Sequence, residues 1–230
     1  MSYEGPEYRG DGWAVQADGN RFWGVLGAAG LFLITPDDRV LLQLRALWTN
    51  RGGTWAIPGG ARNPGETAAQ AAQRETWEET SIDTDRIEVL GELVTAAAPL
   101  DHVLRREHVE DADEPLLAPL KQLAEKLGDP REAIKAQPVT NPRNGGQAIF
   151  GLGARWWWEI KDENLNDEWT YTTVIAECPE ALDFSATSES TDLRWCPLSE
   201  LEEMDLMPAF REALPVIREE LAALRKQREQ

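Results

Sequence analysis

Residues 60–82 read GARNPGETAAQAAQRETWEETSI, and within them Glu75, Glu78 and Glu79 stand at i, i+3 and i+4. On a helix that spacing brings three carboxylates onto one face of a single turn. Such a cluster repels itself, so its natural use is to offer oxygen ligands to a hard divalent cation. The flanking residues encode the helix: Thr67 is a suitable N-cap, and residues 68–79 are rich in Ala and Gln with neither Gly nor Pro among them. Just before it, Pro58, Gly59 and Gly60 end a short strand over residues 54–57, so strand, glycine loop and helix follow in that order.

Outward from this element, residues 24–34 (GVLGAAGLFLI) and 39–47 (RVLLQLRAL) predict two strands joined tightly at Pro36, Asp37 and Asp38. Further strands are expected over residues 87–96, 170–176 and 193–196. Apolar residues at helical spacing, Phe210, Leu214, Ile217, Leu221 and Leu224, predict an amphipathic helix over about 208–228. Strands interleaved with two well-separated helices indicate a mixed α/β, or α+β, layered domain. Residues 22–230 are expected to form that domain, with residues 1–21 as an N-terminal extension. Residues 100–166 are too long for an ordinary connection and are expected to be an insertion of the lid or interaction type, with a helix over 115–127. Trp156, Trp157 and Trp158 cannot all point one way on a strand or a helix, so packing rather than base stacking is expected for some of them.

Composition narrows the function. A net charge of −18 disfavours nucleic-acid backbone and anionic membrane as partners, since both require a basic footprint. The longest apolar run, residues 24–35, is far short of a bilayer span, and the N-terminus has no apolar core of a secretory signal, so a cytoplasmic protein is expected. Cys178 and Cys196 lack metal-ligand spacing and are expected to be buried thiols; His102 and His108 lie in the charged stretch LDHVLRREHVED, read as solvated helix or loop. The apolar stripe near the C-terminus and the insertion each offer surface that a homodimer would bury.

Taken together, Gly60, Glu66 five residues on, Arg74 and Glu75 seven beyond that, then Glu78, Glu79 and Ile82 make a pattern with a chance occurrence on the order of 10⁻⁷ per starting position. It resembles the signature of the Nudix hydrolases, G-x5-E-x7-R-E-U-x-E-E-x-G-U with U an apolar residue. Thr76 stands where that signature has an apolar residue, and Ser81 where it has glycine. A serine in the left-handed position after a helix costs up to ~1 kcal/mol or moves the turn by a residue.

The resemblance implies an α/β/α sandwich with a mixed sheet and hydrolysis of a nucleoside diphosphate linked to another moiety, such as a nucleotide or nucleotide-sugar. It implies Mg²⁺ or Mn²⁺ bound by Glu75, Glu78 and Glu79, with a carbonyl of Gly59 or Gly60 adding an oxygen. Arg74 would orient a glutamate of the box, and Glu66 and Gly60 would hold the loop to the helix. Glu75 is the first candidate for the base, and Glu189, six residues ahead of Trp195, is the acid on the later loop that takes part in some members. A protein of the same fold that senses a nucleotide without cleaving it is the alternative; it is disfavoured because every acid of the box is present and no basic recognition helix is evident.

Overall fold

The structure, a computed structural model, describes residues 10–47, 49, 51–151, 154–162, 166–187 and 190–228. In chain order the first half comprises β1 (Gly12–Val15), β2 (Arg21–Trp23), β3 (Ala28–Ile34), β4 (Arg39–Arg45), β5 (Trp55–Ala56), β6 (Gly59–Ala61), α1 (Ala68–Thr80), β7 (Glu88–Pro99) and β8 (His102–His108). The second comprises α2 (Glu114–Leu127), α3 (Pro130–Ala136), β9 (Gln147–Gly151), β10 (Arg155–Asp162), β11 (Glu168–Glu177), β12 (Ser190–Pro197) and α4 (Pro208–Arg228). The described residues fall into two compact units, one within Met1–Val25 and Pro99–Asp167, the other within Leu26–Ala98 and Glu168–Gln230.

The second unit carries the glutamate helix. Its sheet runs β12-β4-β3-β11-β7, with β5 beside β4 and β6 beside β3, and it is mixed: β11 lies parallel to β3, whereas β4, β6 and β12 are antiparallel to their neighbours. Both faces are covered, which is why β3 reads as an unbroken apolar run. Alternate residues sort to the two sides. Phe32 and Ile34 of β3 with Val40 and Leu42 of β4 meet Phe210, Leu214, Ile217 and Leu221 of α4, while Leu31, Leu33 and Leu41 meet Ala68, Ala71 and Ala72 of α1. The apolar stripe of α4 therefore packs into the chain's own core. Cys178 and Cys196 are buried free thiols, one in each of these two cores.

The first unit is built from residues whose local patterns are weak. Its sheet runs β2-β1-β8-β10-β9, antiparallel throughout, and α2 and α3 cover the face bearing Ala148, Trp158 and Ile160. The stretch around His102 and His108 is a strand, not the helix or loop its charge suggested; pairing with β1 and β10 satisfies its backbone, and its charged side chains find partners at the sheet surface, Arg105 with Glu107 and Arg106 near Glu159. The tryptophan run lies in β10 and alternates. Trp158 is fully buried and donates its Nε1 hydrogen to Asp113 at 2.8 Å, Trp157 packs on His108 from the opposite face, and Trp156 meets the edge of Phe150.

Helix α1 starts and stops as its termini dictate. Thr67 and Gln70 form a reciprocal capping box, and Ser81 ends the helix in the left-handed conformation (φ 57°, ψ 19°) with its N–H bonded to the Trp77 carbonyl. The serine thus occupies the glycine position without moving the turn. Thr76 is fully buried, and its hydroxyl donates to the Ala72 carbonyl at 2.7 Å, which makes it acceptable where the signature has an apolar residue. Ser81→Gly should relieve the left-handed strain and stabilise the protein by about 1 kcal/mol, read as a higher urea midpoint at unchanged m-value. An unchanged or lower midpoint would show that the strain is absorbed elsewhere.

Candidate functional site

Strand β6 brings the glycine loop against β3, pairing Ala29 with Gly60 and Gly30 with Gly59. The backbones approach so closely that a Cβ on Gly59 would lie 2.5 Å from the Ala29 carbonyl oxygen. A Cβ on Gly60 would lie 2.5 Å from the carboxyl carbon of Glu75. Gly60 is thus the cradle under the Glu75 carboxylate, which a side chain at position 60 would have to displace.

Arg74 organises the acids. Its Nε donates to Glu66 Oε1 at 2.7 Å, Nη1 to Glu75 Oε1 at 2.7 Å and to Glu78 Oε2 at 3.1 Å, and Nη2 to Glu66 Oε2 at 3.0 Å and to the Ala61 carbonyl at 2.9 Å. Five bonds match the five hydrogens of a guanidinium. Glu66 also accepts from the Asn63 backbone N–H at 2.8 Å, so it ties the loop to the helix through Arg74. Burial opposes ionisation of both partners, but the Glu66 bonds and the Glu75 charge outweigh it and raise Arg74 further. For Glu66, likewise against its burial, the Arg74 and Asn63 bonds hold the carboxyl below its ordinary range.

Glu79 has a different environment. It is 5% exposed, and its Oε2 accepts from Gln43 Nε2 at 2.9 Å and from the Gly59 N–H at 3.0 Å. Burial first, and the nearby Glu75 charge second, push its pKa up to about 8. Glu78, by contrast, has nearly half its side chain exposed. The three acids share one end of α1, yet among the described residues no three His, Cys, Asp or Glu side chains converge as ligands of an ion would. Glu75 and Glu78 each reach to Arg74, and Glu79 turns inward to the sheet. Glu189 lies outside the described residues.

Two residues beside this cluster escaped the sequence reading. Gln43, fully buried on β4, bonds Glu79 with its amide nitrogen and accepts from the Ser190 hydroxyl at 2.7 Å. Tyr171 on β11 reaches over β3 where Gly30 leaves room, a Cβ there lying 2.1 Å from its hydroxyl oxygen; burial, then the charges of Glu79 and Glu75, raise its pKa. The available signal was a single polar side chain, Gln43, inside the otherwise apolar run VLLQL.

The family model of the NUDIX domain matches residues 25–110. A Mycobacterium tuberculosis protein named for 8-oxo-dGTP diphosphatase activity is 33% identical over 205 residues, which are 87% of this chain and 65% of that relative. An RNA pyrophosphohydrolase of Legionella pneumophila is 35% identical over 95 residues, 40% of this chain and 49% of its own. The chain thus spans less than two thirds of the length of these curated relatives. Among solved structures, a Nudix hydrolase from M. smegmatis, RenU, is 31% identical with a TM-score of 0.60, covering 93% of this chain and 96% of that one. No helix among the described residues is long and apolar enough to cross a membrane.

The environment of Glu79 has a consequence for stability. A carboxyl whose folded pKa is raised from the ordinary 4.5 to about 8 contributes stability that is complete below 4.5 and is lost as pH rises through 8. With a chelator present, urea denaturation across that window should show stability falling with pH, and Glu79→Gln should flatten the fall. Parallel profiles for the two proteins would contradict this assignment.

Proposed function

This chain belongs to the Nudix hydrolase family, and on that premise we propose that it hydrolyses a phosphoric anhydride bond in a nucleoside diphosphate linked to another moiety, with Mg²⁺ or Mn²⁺ held at the C-terminal end of α1. The observation that carries this reading is the packing of Glu75 into the Gly60 cradle, with Glu78 on the same Arg74 and Glu79 bonded to Gly59. Oxygen donors without a thiol or imidazole among the described residues are the set a hard cation takes, and binding would require the three carboxylates to turn toward a common point. Glu75, Glu78, Glu79 and the Gly59 carbonyl would hold the ion, which when bound supplies Lewis-acid polarisation of the diphosphate oxygens.

The remaining roles belong to the chain. Arg74 neutralises Glu75 and Glu78 and, with Glu66, fixes the loop against the helix so that the acids keep one geometry. In this proposal Glu75 takes the proton from the attacking water, and a bridging P–O bond breaks as the new one forms. Glu78, the most exposed of the three, faces substrate most directly. The named activity of the mycobacterial relative makes 8-oxo-dGTP and other nucleoside triphosphates the first substrates to try.

The test is a screen of nucleoside triphosphates, 8-oxo-dGTP, nucleotide-sugars and dinucleoside polyphosphates with Mg²⁺ or Mn²⁺, run beside Glu78→Gln. Product formation should require the ion and fall in the variant by at least the roughly 10–100-fold that loss of a metal's outer partner costs. Tight nucleotide binding without product, under every ion, would replace the hydrolase by a nucleotide sensor. Glu189→Gln, run in parallel, should lower kcat if the later loop shares the base's work.

Saturating Mg²⁺ should also raise the melting temperature, since an ion bound only by the folded chain stabilises it by mass action. Glu78→Gln should reduce that shift. A shift of equal size in both proteins would place the ion elsewhere.

A further inference from the structure

Gln43 is an expensive residue for its position. It is fully buried in β4, on the side of the sheet where Leu41 meets α1, and an apolar side chain would fill that place without an amide to satisfy. Both ends of the amide are used. Nε2 donates to Glu79 Oε2 at 2.9 Å, and Oε1 receives the Ser190 hydroxyl at 2.7 Å. An amide nitrogen donates and an amide oxygen accepts, so with Nε2 turned to Glu79 the oxygen is left for Ser190. The hydrogen bonds therefore run in one direction, from the Ser190 hydroxyl through Gln43 to Glu79.

The strand register is bent to make this possible. Leu193 pairs with Gln43, and an unbroken ladder would then set Thr191 opposite Arg45; instead a bulge between Ser190 and Asp192 puts Ser190 opposite Arg45. Partners across an antiparallel pair share a face, and residues 43 and 45 share one too, so the bulge turns the Ser190 side chain to the Gln43 side. Bulges of this kind re-aim side chains, and this one brings a hydroxyl, itself buried, to the far end of the glutamine.

We propose that Gln43, fixed by Ser190, is a positioning residue for Glu79: with the Gly59 N–H it occupies Oε2 and thereby orients the carboxylate so that Oε1 is presented to the divalent ion. Among the described residues both hydrogen bonds to Glu79 fall on that one oxygen, and neither uses Oε1. Without the amide, the carboxylate can rotate between its two oxygens and the ion meets a disordered ligand. The inference rests on the metal-binding reading above, and its test separates the two.

Mn²⁺ binding to the full chain, measured by EPR without nucleotide, is compared for the parent, Gln43→Met, Ser190→Ala and the double variant, with melting temperatures recorded for each. Methionine keeps the shape of glutamine and removes the amide. Gln43→Met should weaken Mn²⁺ binding about 10–100-fold, as loss of a ligand's outer partner does. Ser190→Ala should weaken it by a smaller factor, and that factor should vanish in the Gln43→Met background because the serine acts through the glutamine. In turnover, the Mg²⁺ concentration for half-maximal rate should rise while KM for nucleotide at saturating Mg²⁺ stays put.

If Gln43→Met does not fold, Ser190→Ala decides: weaker binding supports the proposal and unchanged affinity overturns it. Equal affinity in all four proteins overturns the positioning role while leaving the metal site intact. A parent that binds no Mn²⁺ overturns the proposed function and this inference with it.

Discussion

Of the three glutamates on one turn of helix, Glu75 and Glu78 are held in place by a cation, Arg74. It is saturated: two hydrogens go to Glu66, one to Glu75, one to Glu78 and one to the Ala61 carbonyl. A guanidinium is suited to this because its rigid fork holds several acceptors at fixed angles, whereas a lysine would hold them only by charge. Being partly buried, the ion pairs are screened less than surface pairs, but dismantling one side would leave charge uncompensated. The same bonds that neutralise the acids also close the glycine loop onto the helix. Electrostatics and loop geometry are one problem here with one solution.

The loop can close only because it has no side chains at the critical points. Gly59 lies against the β3 backbone at a distance that excludes a methyl group, and Gly60 lies under the Glu75 carboxylate, which a methyl would push aside. Gly30 on the neighbouring strand clears the path of Tyr171. A strip of bare backbone thus separates the sheet from the acidic end of α1, and Glu79 crosses it to reach Gln43. The capped helix and the covered sheet give this arrangement its rigidity, since α1 is anchored by Ala68, Ala71 and Ala72 on Leu31, Leu33 and Leu41.

What was legible in the sequence was what local chemistry encodes. Helix α1, its Thr67 cap, the turn around Asp38 and strands β3, β4, β7, β11 and β12 follow from periodicity, capping and turn residues within a few positions of one another. The placement of the acids toward one end of α1 followed from their spacing. Strands β1, β2, β8, β9 and β10 were not legible, because their stability comes from partners far along the chain: Trp13 pairs with Leu104, and Arg106 with Glu159. Charge in β8 masked its alternation, and the brevity of β1 and β2 left little pattern to read. The inward turn of Glu79 was equally hidden, since helical spacing places its Cβ beside Glu75 and Glu78 but its carboxylate goes to donors on β4 and β6.

The two classes of acid at this site explain why stability and function pull apart along a single turn. Glu75 and Glu78 are neutralised by Arg74, which would have to yield some of its bonds to an ion taking the same oxygens. Glu79 has no such cation bonded to it; two neutral donors hold it, and its burial favours the protonated form. A sequence selected for stability alone would place an apolar residue there, as most helix positions facing this core do. A buried acid, a buried glutamine to receive it and a strand bulge to receive the glutamine fit the proposed role of the carboxylate as a ligand. A divalent cation bound at the same end of the helix, as proposed, would offset the desolvation of that charge.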